Sequence, residues 1–221
     1  MNRKALMTDL VSKISDYKRD EVILLAIDGV DTSGKTFFAD ELRDEIKNRP
    51  IIRISIDGFH NPREVRTRKG DLSPVGYYED SFNYSFLETE VLKKLKVGSP
   101  EIYSRSFDYR SDESRLEETY KIKVPPKAIV IFDGVFLLRE RLNKYWDIRV
   151  FLDVSFETVI KRAKERDLDY FKDESLLLDK YNKRYIPGQK IYFEREKPIL
   201  KADIVIDNNI YDDPHIVRCK L

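Results

Sequence analysis

The chain has 221 residues, enough for one α/β-sized domain that buries about 70% of its unfolded surface. Lys and Arg total 41 against 40 Asp and Glu, a formal net charge of +1, so no global field draws it to nucleic acid or to an anionic membrane and any anion site must be local. A 41% hydrophobic fraction with 12% aromatics excludes a disordered chain, and a single cysteine, Cys219, excludes an intrachain disulfide or a cysteine-based zinc cluster.

Leu6, Leu10, Ile14 and Tyr17 recur at helical spacing, predicting an amphipathic packing helix over residues 3 to 18. Charges run throughout this amino-terminal segment, and the longest apolar run, Val22 to Ile27, falls far below the ~18 residues of a membrane span. A cytoplasmic protein is expected. Val22 to Ile27 reads instead as a strand buried on both faces. Residues 35 to 48 then carry helical periodicity and end before Pro50, and Ile51 to Asp57 reads as a second strand, completing a β-α-β unit.

Residues 58 to 81 are polar, rich in Gly and Pro and aperiodic, which predicts a long loop of the kind that is usually functional. A helix is expected near 83 to 96, then two short β-rich stretches, EIYSRSFDY and TYKIKV, as a hairpin-like flap. Buried strands follow at Lys127 to Gly134, Asp147 to Val154 and Ala202 to Asp207, with helices near 155 to 166, 173 to 185 and 189 to 197. Strands alternating with helices predict a parallel sheet covered on both faces, in a single domain.

The segment AIDGVDTSGKT places Gly29, Gly34, Lys35 and Thr36 in the pattern GxxxxGK[ST], between a buried strand and a helix. That is the arrangement in which backbone N–H groups and a helix amino terminus surround phosphate oxygens. A nucleotide-binding loop formed by Gly29, Val30, Asp31, Thr32, Ser33, Gly34, Lys35 and Thr36 is expected, with Lys35 reaching the β and γ phosphates and Thr36 ligating Mg²⁺. The fold class is then a P-loop NTPase-type parallel sheet, with a small β flap and a helical lid. Asp133, at the end of a buried strand, stands where a second acid meets the Mg²⁺, and Asp57 stands at another strand end, where ligands of open α/β sheets gather. The turn chemistry of Asp-Gly would also account for both.

The chain resembles the uridine kinase and phosphoribulokinase family of P-loop kinases over approximately residues 20 to 210. Besides the phosphate loop, the resemblance rests on SIDGFHNPR (Ser55 to Arg63), GYYEDSFN (Gly76 to Asn83), FDYRSDESR (Phe107 to Arg115), VIFDGVFLL (Val130 to Leu138) and KRAKERD (Lys161 to Asp167). It implies transfer of the γ phosphate of ATP to a hydroxyl of a small acceptor, with Asp57 matching the family's general base and Arg162 and Arg166 its lid arginines. It also divides the domain into an amino-terminal helix (1–20), an acceptor-site insertion (58–125) and a lid region (155–190). The two arginines lie four apart on one helix face, where guanidinium forks could grip phosphate oxygens or pair with neighbouring acids.

The acceptor side departs from the family. Uridine kinases present Tyr-Asp-Phe followed by a histidine that holds the pyrimidine; this chain has Phe107-Asp108-Tyr109 and then Asp112 or Glu113. A ribose-holding Asp falls near Tyr77, with Asp80 close by, and the metal-associated acid is Asp133 where uridine kinases carry Glu. Candidate acceptor contacts are Asp57, Phe59, His60, Arg63, Tyr77, Tyr78, Asp80, Phe107 and Asp108. Arg63, Arg66, Arg68 and Lys69 form a basic cluster that either holds a phosphate on the acceptor or is an exposed charged loop. Tyr77, Tyr78, Phe82 and Tyr84 either stack on a base or belong to the core.

The leading reading is an ATP- and Mg²⁺-dependent kinase of a small metabolite, most simply a nucleoside, with no nucleic-acid or membrane partner and its oligomeric state left open. Alternatives are a kinase of a sugar phosphate, pantothenate or another non-nucleoside acceptor, and, in another class, a P-loop regulatory protein. A guanine-nucleotide switch would carry NKxD, whereas Asn143-Lys144 is followed by Tyr145-Trp146.

Overall fold

The strands are β1 (Ile23–Gly29), β2 (Ile51–Ser55), β3 (Glu101–Asp108), β4 (Glu113–Lys123), β5 (Ile129–Gly134), β6 (Ile148–Asp153), β7 (Ile204–Asp207) and β8 (His215–Cys219). They come from a computed structural model that describes residues 2–108 and 113–221, with the side chains of 108 and 113–118 outside the description. Six of them form one sheet in the order β2-β5-β1-β6-β7-β8, and β3 and β4 form a separate antiparallel hairpin. β1 and β5, buried at every position, sit in its interior. Every pairing in the large sheet is parallel except that of β8 with β7.

Alternation along β1 serves two cores. Ile23, Leu25 and Ile27 face Leu6, Leu10 and Ile14 of the amino-terminal helix Arg3–Asp16 and Phe38 and Leu42 of the helix Lys35–Glu45. Leu24 and Ala26 face the opposite core, which includes Tyr77, Tyr78, Phe136 and Tyr192. Both faces of the parallel sheet are therefore covered, as its apolar strands require. No described helix is long and apolar enough to cross a membrane.

Several expectations are corrected. The second strand stops at Ser55, and Asp57 lies in a 3₁₀ turn, Ile56–Phe59. The segment 58 to 81 is not one long loop: it holds helices Arg63–Thr67 and Pro74–Asp80, the second capped by Ser73 Oγ accepting from the Gly76 N–H. The two helices expected at 173 to 185 and 189 to 197 join into one helical run over 174–196. A short helix, Glu140–Asn143, and the edge strand β8 were not foreseen. The flap is the β3–β4 hairpin, longer than expected.

Two glycines bring the flap and the sheet onto the site. A Cβ on Gly58 would collide with the Arg105 carbonyl, and one on Gly134 would collide with the Ile56 side chain. The Asp-Gly pairs therefore do more than turn the chain. Gly58 lets β3 lie against the turn that carries Asp57, and Gly134 lets that turn lie against the end of β5, which carries Asp133.

Candidate active site

The phosphate loop is held by its own backbone and by buried side chains around it. Thr32 and Gly34 take positive φ values of 55° and 90°, strained for Thr32 and free for glycine. A Cβ on Gly29 would stand 2.7 Å from the Leu152 carbonyl oxygen and from Ser33 Oγ. Beneath the loop, buried Asp28 accepts from the backbone N–H of Gly29 at 2.7 Å and of Leu138 at 2.9 Å, and from the Tyr192 hydroxyl. Burial pushes the Asp28 carboxyl up to about 6, opposed by those donors.

Lys35 Nζ donates to the Val30 carbonyl at 2.6 Å and to Ser33 Oγ at 3.3 Å. Burial pulls its pKa down, and Asp31, Asp28, Asp57 and Asp133 oppose the shift. Thr36 Oγ1 donates to Asp133 Oδ2 at 2.9 Å, while Arg53 Nη2 donates to Asp133 Oδ1 at 3.1 Å. Burial raises the Asp133 carboxyl despite the nearby arginine. Arg53 also lies 3.4 Å from Asp40, so it ties the end of β5 to the helix after the loop.

A cleft of about 850 Å³ runs from this loop toward the flap. Asp31, Thr32, Gly34, Lys35, Thr36, Asp57, His60, Tyr77, Phe107, Asp133, Arg162 and Arg166, all singled out from sequence, line it. His60 stacks on Phe107 with ring centroids 4.3 Å apart and packs at a tilt against Phe82 at 4.5 Å, and its Nδ1 lies 2.8 Å from the Asp57 carbonyl oxygen, an acceptor that a protonated Nδ1 satisfies. The Arg66 guanidinium stands 5.3 Å from the centre of the Phe107 ring. The flap end of the cleft is thus aromatic, with Asp57, His60 and Arg66 among the described residues on its walls.

Other candidates stand elsewhere. Phe59 is core, and Tyr78 is buried with its hydroxyl donating to Glu196 at 2.8 Å. Asp80 is buried away from the cleft and ion-paired with Arg68 and, at 3.1 Å, with Lys69. The basic cluster is thereby split: Arg68 and Lys69 belong to that pairing, Arg66 reaches the cleft, and Arg63 does not line it. The side chain of Asp108, and Tyr109 and Asp112, lie outside the described residues, as does the side chain of Glu113.

The lid arginines differ from one another. Arg162 donates to the carbonyls of Asn208 at 2.7 Å, Asn209 at 3.2 Å and Thr32 at 3.3 Å, clamping the phosphate loop to the segment after β7. Arg166 pairs with Asp167 at 2.6 Å and keeps a largely exposed side chain at the cleft wall.

No protein-family model matches the chain. Uridine-cytidine kinase B of Dictyostelium discoideum is 29% identical over 146 residues, 66% of this chain and 58% of that protein, so the match spans less than two thirds of that relative. Uridine kinase of Yersinia enterocolitica is 24% identical over 195 residues, 86% of this chain and 88% of that one. A solved structure from Bacillus stearothermophilus, titled a possible uridine kinase, shares the fold with a TM-score of 0.74 at 22% identity, covering 91% of this chain and 97% of that one. The chain is similar to uridine kinases and shares the fold of that possible uridine kinase.

Sequence reasoning missed several residues that build this site. Buried Asn208 donates through Nδ2 to the Ser33 carbonyl at 2.7 Å, Gln189 donates to Asp31 at 2.6 Å, and Tyr192 and Arg53 hold Asp28 and Asp133. Only Asn208 left a trace in the sequence, as a polar residue directly after a buried strand end. Tyr211, which lines the cleft, is held by Arg3 of the amino-terminal helix, its guanidinium 4.0 Å from the ring centre. That helix therefore supports the cleft as well as the core.

Proposed function

We propose that this kinase transfers the γ-phosphoryl group of Mg-ATP to a hydroxyl of a small metabolite, a nucleoside being the first candidate. The observation that carries the reading is the convergence of Asp57 with Lys35, Thr36 and Asp133 on one cleft. In the step, the acceptor oxygen forms a bond to the γ phosphorus and the bond from phosphorus to the β–γ bridging oxygen breaks. The hydroxyl proton passes to the Asp57 carboxylate, and ADP leaves with the bridging oxygen. Such transfer depends mainly on alignment and on stabilising charge over the phosphate oxygens. Lys35 supplies that charge at the loop, and Arg166 supplies it from the lid side. Arg162 positions the loop through its backbone carbonyls.

The residues present fit Mg²⁺. Thr36 and Asp133 offer hard oxygen atoms side by side, and among the described residues no group of three His, Cys, Asp or Glu could hold a metal alone. That suits an ion that arrives on the nucleotide phosphates and keeps several waters. Thr36 and Asp133 would hold it, and when bound it neutralises charge on the β and γ oxygens.

A second reading, an acceptor that already carries an anionic group, is favoured by Arg66 at the acceptor end beside Phe107. The test is ADP release over a panel of nucleosides, pantothenate, sugars and sugar phosphates. ADP is expected only when a hydroxylated acceptor is present, and the panel separates the two readings. ADP release that no acceptor stimulates would overturn both.

A further inference from the structure

Arg3 stands at the first position of the amino-terminal helix, where a cation works against the helix dipole, and the first turn carries no acid to offset it. Its side chain is nevertheless only 12% exposed. The contacts it makes account for the placement. Nε donates to both carboxylate oxygens of Glu41, at 2.8 and 3.0 Å, which fixes the guanidinium against the helix after the phosphate loop. Nη1 donates to the Tyr211 carbonyl at 3.0 Å and to Asn208 Oδ1 at 3.3 Å, and the guanidinium lies over the Tyr211 ring, 4.0 Å from its centre.

Tyr211 belongs to no core. It sits in the turn between β7 and β8, and although Arg3 covers one face of its ring it stays 41% exposed and lines the cleft. Fully buried Asn208 donates to the Ser33 carbonyl at 2.7 Å, so the segment that leads to Tyr211 is moored to the phosphate loop. Phe37, the residue after Thr36, is 66% exposed and also lines the cleft. The loop side of the cleft therefore presents ring faces beside the backbone expected to hold phosphates.

We propose that the base of the donor nucleotide stacks on the open face of Tyr211, and that Arg3 is a positioning residue that holds the ring from behind, so that the amino-terminal helix sets donor affinity. The ligand is a purine nucleoside triphosphate, chosen by the size of its ring and not by the edge that distinguishes adenine from guanine. This rests on the kinase reading above and adds the donor's base to it. Stacking on an aromatic side chain accepts any base because every base has a π-face, and a cation on the far side fixes the ring without touching the ligand.

The experiment measures dissociation constants by calorimetry, with Mg²⁺ and without acceptor, for ATP, GTP, CTP, UTP and inorganic tripolyphosphate, which carries the phosphates without base or ribose. In wild type, ATP and GTP should bind within about fivefold of each other and about tenfold tighter than CTP and UTP. Tyr211→Ala should weaken ATP by about tenfold or more, erase the purine preference and leave tripolyphosphate within about twofold; Tyr211→Phe, which keeps the ring, should bind ATP as wild type does. Arg3→Ala should weaken ATP by about three- to tenfold with tripolyphosphate unchanged, and Arg3→Lys, which keeps a cation behind the ring, should recover most of that loss. In the Tyr211→Ala background Arg3→Ala should cost nothing further, because the ring through which it acts is gone.

Wild-type ATP affinity in Tyr211→Ala, or equal losses of ATP and tripolyphosphate in that variant, would overturn the stacking site. A full Arg3→Ala loss that persists in the Tyr211→Ala background would overturn the role of Arg3, and a preference of about fiftyfold or more for ATP over GTP would overturn selection by ring face. If Tyr211→Ala binds ATP normally and releases ADP when an acceptor is added, the proposal falls and the kinase reading stands. If wild type binds neither ATP nor tripolyphosphate, the kinase reading itself falls.

Discussion

On the loop side of the cleft, residues 29–36 form one unbroken stretch shaped by positive φ angles and close backbone approach. On the flap side, Asp57, His60, Arg66, Tyr77, Phe82 and Phe107 arrive from a 3₁₀ turn and the residue after it, two short helices, the residues that follow the second helix, and a β hairpin. The first kind of site is specified by φ angles and close approach, so few substitutions keep it working. The second is a set of side chains from separate elements that meet through ring contacts, His60 with Phe82 and Phe107 and Arg66 with Phe107.

The hardest way to break the phosphate half is Lys35→Ala. Turnover should fall by about 10³ or more, because a buried cation aimed at the transferring group contributes several kcal/mol in the transition state. The melting temperature should change little, since Lys35 bonds only within its own loop. Stopped turnover with an intact melting curve is the expected pair of results; full activity would remove the loop from the mechanism.

Asp57→Asn tests where the two halves meet. ATP affinity should survive while kcat drops by about 10² to 10⁴, the usual worth of a positioned base. Unchanged kcat would reduce Asp57 to a turn residue.

Gly134→Ala should disturb both halves through packing alone. Its Cβ collides with Ile56, next to Asp57, so destabilisation of about 1–3 kcal/mol and a lower kcat are expected. Adding Ile56→Ala should restore part of the catalytic loss if the collision is the cause. Both are read from urea denaturation and steady-state rates.

His60→Ala removes the ring that stacks on Phe107 and packs at a tilt against Phe82. Losing an aromatic contact of ~0.5–1.5 kcal/mol should raise acceptor KM by about three- to tenfold and leave ATP KM unchanged. A matching rise in ATP KM would erase the distinction between the halves.

The smallest effect concerns Asp28, which joins the floor of the phosphate loop to Tyr192 of the helical run 174–196. Burial raises its folded pKa to about 6, above the ordinary carboxylate value of 3.8, so protonation favours the folded state. This contribution is fully present below the unfolded pKa and is lost as pH rises through about 6. Its share of stability should be about 1 kcal/mol greater at pH 5 than at pH 7, read as the pH-dependent gap between wild type and Asp28→Asn in urea denaturation.

The β1–loop–helix unit was legible because its determinants are contiguous: a buried apolar run, glycines where a Cβ cannot fit, and a lysine and a threonine at fixed spacing. Asp57 and Asp133 were legible as acids at strand ends, although the turn around Asp57 was not. The segment 58–81 concealed its helices because each is a turn or two long and stabilised by packing rather than by periodicity. β8 was missed because its side chains are half-buried or exposed, with no apolar run to mark it.

What the sequence determined by itself was the fold class and the position of the glycine-rich loop between β1 and its helix, since backbone geometry and hydrophobic alternation are encoded locally. What only the tertiary structure decided was which side chains meet: Gln189 and Tyr77 on Asp31, Asn208 on Ser33, Arg53 on Asp133, and Arg162 on backbone carbonyls beside the loop. Those pairings join residues far apart in the chain. They form because a buried donor or acceptor must find a partner once packing has removed water, and that packing is a property of the whole fold.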